Sequence, residues 1–337
     1  MLARAAGWLD RAAFSPDTLP DDLVIGLALT PPVIAGLVIF KLAAVEMLVA
    51  ALIIGGAAQI VATLLFRKYS PKPEASPLIA ALVGVALVGP GAPILVSIEI
   101  ALLAVVLEVL RARFAPAVHA QPGLFAYACF AIVTRGASFA YINPNGGNPL
   151  DPIAIWHLFP TGSSPIDPVR LYVGNVPGPV FATSLMAIAV GVAWLAYARR
   201  LSPIVAACFF LGAIIPIAVF HWDFVFQLDS GPLWFVGALI LADRRSLPGS
   251  WAVRPILGFG AGLLAVGLRN RGGGIEAAFF TVAVLQGVVA IVVVLIWSVN
   301  TTTKRRERQR LLRLRDEQLR AINRTEEPVN DPSAVAS

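Results

Sequence analysis

Apolar residues run along this chain in stretches of membrane-spanning length, separated by short polar punctuation. The stretches fall at about 22–42, 43–66, 77–92, 93–112, 122–141, 180–197, 202–221, 225–243, 253–269 and 275–299. A bilayer core needs roughly 20 apolar residues in a helix, so the pattern predicts ten helices. The run at 77–92 is short and ends in Gly89-Pro90-Gly91-Ala92-Pro93. That ending predicts a broken or re-entrant segment, which is tolerated only where protein or water covers its backbone. One long stretch, residues 142–179, cannot be a membrane helix. Pro and Gly recur in it every few residues, and each Pro removes a backbone donor and blocks a helix interior. Its Ile155, Trp156, Leu158, Phe159, Leu171 and Tyr172 predict a packed surface cap.

Composition agrees with the pattern. The chain of 337 residues is 58% hydrophobic and 14% charged, where a soluble domain carries about a quarter charged residues. These values exclude a large soluble enzyme and predict an all-α polytopic membrane protein. The net charge of +6 calls for no nucleic acid, because Lys and Arg gather at helix ends, where membrane lipid and the positive-inside bias act. Arg67, Lys68 and Lys72 follow the second run, and Arg111 and Arg113 the fourth. Arg199 and Arg200 follow the sixth, Arg244, Arg245 and Arg254 the eighth, and Lys-Arg-Arg-Glu-Arg-Gln-Arg the tenth. Basic residues at every even-numbered exit predict that both termini are cytoplasmic and that 142–179 faces outside.

The expected organisation is a cytoplasmic segment 1–20, a five-helix half 21–141, the external loop 142–179, a second five-helix half 180–300 and a basic cytoplasmic tail 301–337. Five helices per half give the halves opposite topologies, as two inverted repeats require. Within the tail, 301–325 reads as a charged helix with a thin leucine stripe, suited to a solvated or lipid surface or to a partner protein. No cleaved signal peptide is read at the N-terminus.

Ionisable side chains inside a membrane are costly and are functional candidates. Glu99 and Arg135 are expected deepest, paired across the fourth and fifth helices or serving transport or a cofactor. Asp229 precedes Ser230-Gly231 in a run that is otherwise helical, and Glu46 and Glu276 stand at run edges. His221-Trp222-Asp223 reads either as a proton or metal site or as a polar turn. His119 and His157 lack partners at metal-ligand spacing, so no metal is expected. Cys129 and Cys208 read as small buried packing residues. No phosphate loop, dinucleotide fingerprint or nucleophile elbow is present. Redox chemistry would have to come from a bound cofactor.

From the central loop onward the motif order resembles the NqrB/RnfD family, membrane components of the sodium-pumping NADH:quinone oxidoreductase and of the Rnf electron-transport complex. That family has S-G-A-T-P-L, I-G-N-x-x-G and E-T-S in succession. Here stand Ser164-Pro165-Ile166-Asp167-Pro168-Val169, Val173-Gly174-Asn175-Val176-Pro177-Gly178 and Ala182-Thr183-Ser184. Its S-G-G corresponds to Ser230-Gly231, its A-T-D-P-x-x-S-P to Ala242–Pro248, and its I-R with a Gly- and Glu-bearing turn to Leu268-Arg269 and Gly272–Glu276. The resemblance implies two inverted five-helix repeats similar to urea transporters. It also implies a bacterial inner-membrane subunit that carries FMN, works with flavoprotein and iron–sulfur partner subunits, and is coupled to Na⁺ or H⁺ movement. Ser164, Asp167, Gly174, Asn175, Thr183, Ser184, Ser230 and Gly231 would border its cofactor site. The family's threonine carries FMN as a phosphoester, and Asp167 stands in its place. A carboxylate cannot form that linkage and repels a phosphate, so the resemblance implies flavin, FMN or riboflavin, bound non-covalently at most. A channel or transporter for a small polar solute and an accessory scaffold of a biosynthetic system remain alternatives.

Overall fold

The computed structural model describes residues 19–69, 76–116, 118, 120–158, 166–229, 231–244, 247 and 252–296. The N-terminal segment 1–18, His119, Ser164, Ser230 and the tail helix expected at 301–325 lie outside the described residues. The chain divides into Met1–Ala290 and Ile291–Ser337, and the helix bundle with its cap belongs to the first unit.

Every apolar run holds a helix. They are α1 Asp21–Phe40, α2 Leu42–Tyr69, α3 Pro77–Ala86, α4 Ile94–Phe114 and α5 Pro122–Val133 before the central loop. The loop itself carries the short helices α6 Pro152–Leu158 and α7 Pro168–Val173. After it come α8 Leu185–Tyr197, α9 Pro203–Val219, α10 Phe224–Leu228, α11 Gly231–Trp234, α12 Val253–Gly267 and α13 Ala277–Ile296. Helix α11 runs on into a wider π-helical stretch, Phe235–Leu241. Among the described residues, three helices are long and apolar enough by themselves to cross a membrane: α1, α2 over Leu42–Leu64, and α13. No strand forms among them; Leu201 and Asp243 make one isolated bridge.

Chain signals set these boundaries. Pro stands at the first turn of α3, α5, α7 and α9, where a missing N–H costs nothing. α3 stops at Ala86 ahead of Gly89-Pro90-Gly91, as the sequence suggests, and Leu87 and Val88 stay fully buried. α1 and α2 are joined by a single residue, Lys41, in left-handed conformation.

Van der Waals contact and small residues bring the helices together, since lipid tails are as apolar as leucine. α9 and α12 approach so closely that a Cβ on Gly212 would strike the Phe259 carbonyl and one on Gly262 the Phe209 carbonyl. α1 lies along α8, where Trp194 Nε1 donates to the Val24 carbonyl at 3.0 Å. Over one end of the bundle the central loop forms a second, smaller core of Tyr141, Ile153, Trp156, Leu171, Val176, Phe226 and Ile275. Trp156 and Trp222 meet edge to face at 4.9 Å. Of the residues expected to pack the loop, Trp156 and Leu171 are buried and Ile155 half-buried, Leu158 and Tyr172 are exposed, and Phe159 lies outside the described residues.

Gly262→Ala should cost about 1–3 kcal/mol by overpacking the α9–α12 contact. Gly260→Ala is the control, because nothing lies within 4 Å of its Cβ position. Thermal midpoints of the two purified variants should diverge, and equal midpoints would show that the contact is not tight.

Candidate functional site

The residues that resemblance places at a cofactor site divide into three groups. Gly174, Thr183, Ser184 and Gly231 converge. Gly174 ends α7 at φ +90°, donating to the Arg170 carbonyl at 2.9 Å, and only glycine takes this conformation without penalty. A Cβ there would stand 2.6 Å from the backbone nitrogen of Ser184. Ser184 caps α8 by accepting from Ala187 N at 3.3 Å. Gly231 presses on the Thr183 carbonyl, so any side chain at 231 would collide with it. Asn175, half-buried, instead donates from Nδ2 to Asn145 Oδ1 at 3.1 Å, and its backbone carbonyl accepts from Asn145 Nδ2 at 3.3 Å. Asp167 is exposed and caps α7, accepting from Val169 N at 3.0 Å.

The space these residues enclose is small. A cavity of about 10 Å³ is lined by Pro152, Leu171, Val176, Thr183, Gly231 and Ile275 among others. That holds at most a single water. Position 167 itself carries a carboxylate engaged as a helix cap.

The intramembrane charge candidates need correction. Glu99 is exposed, not interior. α4 buries Val96, Ser97, Ile100, Ala101, Ala104 and Glu108, and the 3.6-residue period puts Glu99 on the opposite face with exposed Leu95, Leu102 and Val106. Arg135 is exposed as well, because α5 ends at Val133 and Arg135 falls in the left-handed turn beyond it. Cys129 is also exposed and Cys208 half-buried. Asp229 is half-buried at the end of α10, where the helix does break as Ser230-Gly231 suggests. Glu46 is exposed, and Asp223 caps α10 through Val225 N and Phe226 N, which makes His221-Trp222-Asp223 a polar turn. Among the described residues, no group of three His, Cys, Asp or Glu side chains is placed to hold a metal.

The charge that α4 does bury is Glu108. It accepts from Ser76 N at 2.8 Å and from Arg111 Nε and Nη2 at 2.8 and 2.9 Å. The pair borders a cavity of about 370 Å³ at the end of the bundle remote from the loop. Asp21 and Arg200, themselves ion-paired, line it together with Gln121, Asp243 and Arg244.

Under the cap, at the other end, lies a denser polar cluster. Asp151 is 7% exposed and starts α6, its Oδ1 accepting from Ile153 N at 2.9 Å and Ala154 N at 3.1 Å. Arg269, 1% exposed, donates from Nη1 to the Gln227 carbonyl at 3.0 Å and to Gln227 Oε1 at 2.5 Å. Its charge acts on Asp151. Glu276 sits just ahead of α13, and its carboxylate and that of Asp151 both reach within 3.0 Å of where a Cβ on Gly274 would stand. Tyr141 lies beside Glu276, with Tyr127 and Ser138 behind it. Burial pushes the Asp151 carboxyl above its ordinary range, against the pull of its helix-start N–H groups. Burial, and next the Asp151 charge, push Glu276 up to about 7. Burial lowers Arg269 to about 10, which leaves it charged at neutral pH.

The profile of the NQR2, RnfD, RnfE family matches residues 22–296. The chain belongs to that family. It is a membrane subunit of an electron-transport complex, and other subunits of that complex are its partners. A comparison with curated proteins matches none of them. The matched residues run from the second residue of α1 to the end of α13.

Glu276 should make stability depend on pH. Its folded carboxyl holds a proton that the unfolded chain releases, so stability falls as pH rises from about 4.5 to about 7, by about 3 kcal/mol. In sodium-free detergent buffer the thermal midpoint should decline across this window. Glu276→Gln should flatten the decline and exceed the natural protein at pH 8. Parallel curves for the two proteins would contradict the assignment.

Proposed function

We propose that this chain is an integral subunit of an Rnf- or Nqr-like complex in a bacterial inner membrane, where it helps couple electron transfer to ion movement. Family membership over residues 22–296 carries this reading. Buried or paired charges at both ends of an otherwise apolar bundle support it: Glu108 and Arg111 beside one cavity, Asp151, Arg269 and Glu276 under the cap. Ions crossing a bilayer need such groups, and a scaffold does not. The proposed architecture is two inverted five-helix halves with cytoplasmic termini. The short helices α3 and Gly231–Leu241 occupy the third place in each half, and the basic exits orient both.

The covalent FMN of the family is absent from this reading. Asp167 offers a carboxylate engaged in capping α7 where a hydroxyl would be needed. A flavin would bind without a covalent bond and away from the loop, whose nearby cavity measures only about 10 Å³. Intact-mass and peptide analysis of the denatured protein, co-expressed with a flavin transferase, should find residues 161–170 unmodified. An added mass equal to FMN on that peptide refutes it.

Partner subunits have a place to dock. Glu46 and Glu99 lie one turn or so inside α2 and α4, on stripes of exposed aliphatic residues. A carboxylate facing lipid is costly, and a neighbouring subunit that donates hydrogen bonds relieves that cost. Glu46→Ala combined with Glu99→Ala should lower recovery of the intact complex several-fold while the isolated chain keeps its melting midpoint. Undiminished recovery would remove these faces from the interface.

A further inference from the structure

The cap has an exposed apolar side, carried by two of its short helices. In α7, Val169, Tyr172 and Val173 fall on one side by the three- and four-residue spacing of a helix. All three are exposed, Val169 at 65%. Leu171 turns the other way and is buried in the core of the cap. In α10, which packs against α7, Phe224 and Val225 are exposed while Phe226 and Gln227 are buried. A patch of large apolar side chains turned to water is uncommon and marks a contact surface.

Depth decides what that surface meets. α1 has 20 residues, about 30 Å of helix, and so matches the hydrocarbon core by itself. α8 and the chain leading into it lie along α1: a Cβ on Gly191 would strike the Ala28 carbonyl, and one on Gly36 the Val180 carbonyl. Val180 is therefore level with Gly36, which stands about 6 Å short of the end of α1 at Phe40. α7 ends against this seam, because Gly174 abuts Thr183 and Ser184. α10 follows α9, whose 17 residues begin near Arg200 at the opposite end and reach only about 25 Å. Both short helices thus stand where an interfacial helix buries its apolar face, about 5–10 Å into the boundary between headgroups and acyl chains. Continuity along the chain agrees. Leu211, Ile215 and Val219 form an exposed stripe on α9, and it runs on through exposed Phe220 to Phe224 and Val225.

We propose that α7 and α10 form a shelf in the membrane interface on the capped side, with their apolar sides against the acyl chains of that leaflet. Tyr172 then stands at headgroup level, where tyrosine collects. Arg170, exposed on the same helix, has the length to reach lipid phosphate. The cap is in this way partly a membrane element and not an aqueous domain resting on the bundle. The inference rests on the membrane-spanning helices alone and holds whether or not electrons pass through the chain.

The test measures depth by spin labelling of the full chain in phosphatidylcholine nanodiscs. Cys129→Ala and Cys208→Ala clear the background. Single cysteines then enter as Val173→Cys and Val225→Cys on the shelf, Leu211→Cys on the exposed stripe of α9, and Asn148→Cys on the exposed polar turn of the loop. Oxygen concentrates among acyl chains and a nickel chelate in water. The ratio of oxygen to chelate relaxation at positions 173 and 225 should match that at 211 and exceed that at 148 several-fold. If Val173→Cys lowers the thermal midpoint of the cysteine-free parent, Val169→Cys takes its place on α7. A ratio at either shelf position equal to that at 148 puts that helix in water and overturns the proposal. Exclusion of both agents from the shelf overturns it too, because a second copy of the chain then covers the face instead of lipid.

Discussion

In an apolar medium every backbone N–H and C=O must find a partner within the protein, and this requirement organises the bundle. α3 stops at Ala86, part-way through a membrane-length run, leaving its last carbonyls without helical partners. Donors from the exit of the central loop fill the gap. Val180 N reaches the Val88 carbonyl at 2.8 Å and Phe181 N the Ala86 carbonyl at 3.1 Å. On the other side Gly89 N and Gly91 N donate to the carbonyls of Ser138 and Ala140, both at 2.8 Å. The same segment, two residues on, receives Gly231 against Thr183. The broken end of α3 is therefore closed by the same stretch of chain, Val180–Ser184, that the start of α11 packs against. The turn at Gly174 also packs against it, on Thr183 and Ser184.

This arrangement accounts for the glycines at Gly174 and Gly231. Those two glycines are demanded by backbone contacts with Thr183 and Ser184, whatever is bound nearby. The position at 167 answers to a different requirement. An aspartate there starts α7 as well as a threonine would, so the cap folds without the hydroxyl.

Much of the fold could be read from the residues because hydrophobic length and Pro/Gly punctuation are local signals. The ten runs each hold a helix, the run at 77–92 breaks at Gly89-Pro90, and Asp229-Ser230-Gly231 interrupts the next short helix. The chemistry was less legible. Glu99 reads as deep by its position within an apolar run, but a run says nothing about which helix face meets protein and which meets lipid. Glu108 looks like an end-of-helix charge and is in fact 3% exposed. Asp151-Pro152 announces a helix start, yet nothing local places it against Glu276, which is over a hundred residues away. Tyr127 and Tyr141 could pass for interface aromatics until the cap closes over them.

The closeness of α9 and α12 has a mechanical consequence. Where backbones touch at Gly212 and Gly262 there is no side chain left to yield, so these two helices must travel as one solid strut. Any rearrangement that exchanges access between the two ends of the bundle has to bend the chain elsewhere. Lys41, the single positive-φ residue between α1 and α2, is a joint of another kind, a turn in the chain and not a contact between backbones.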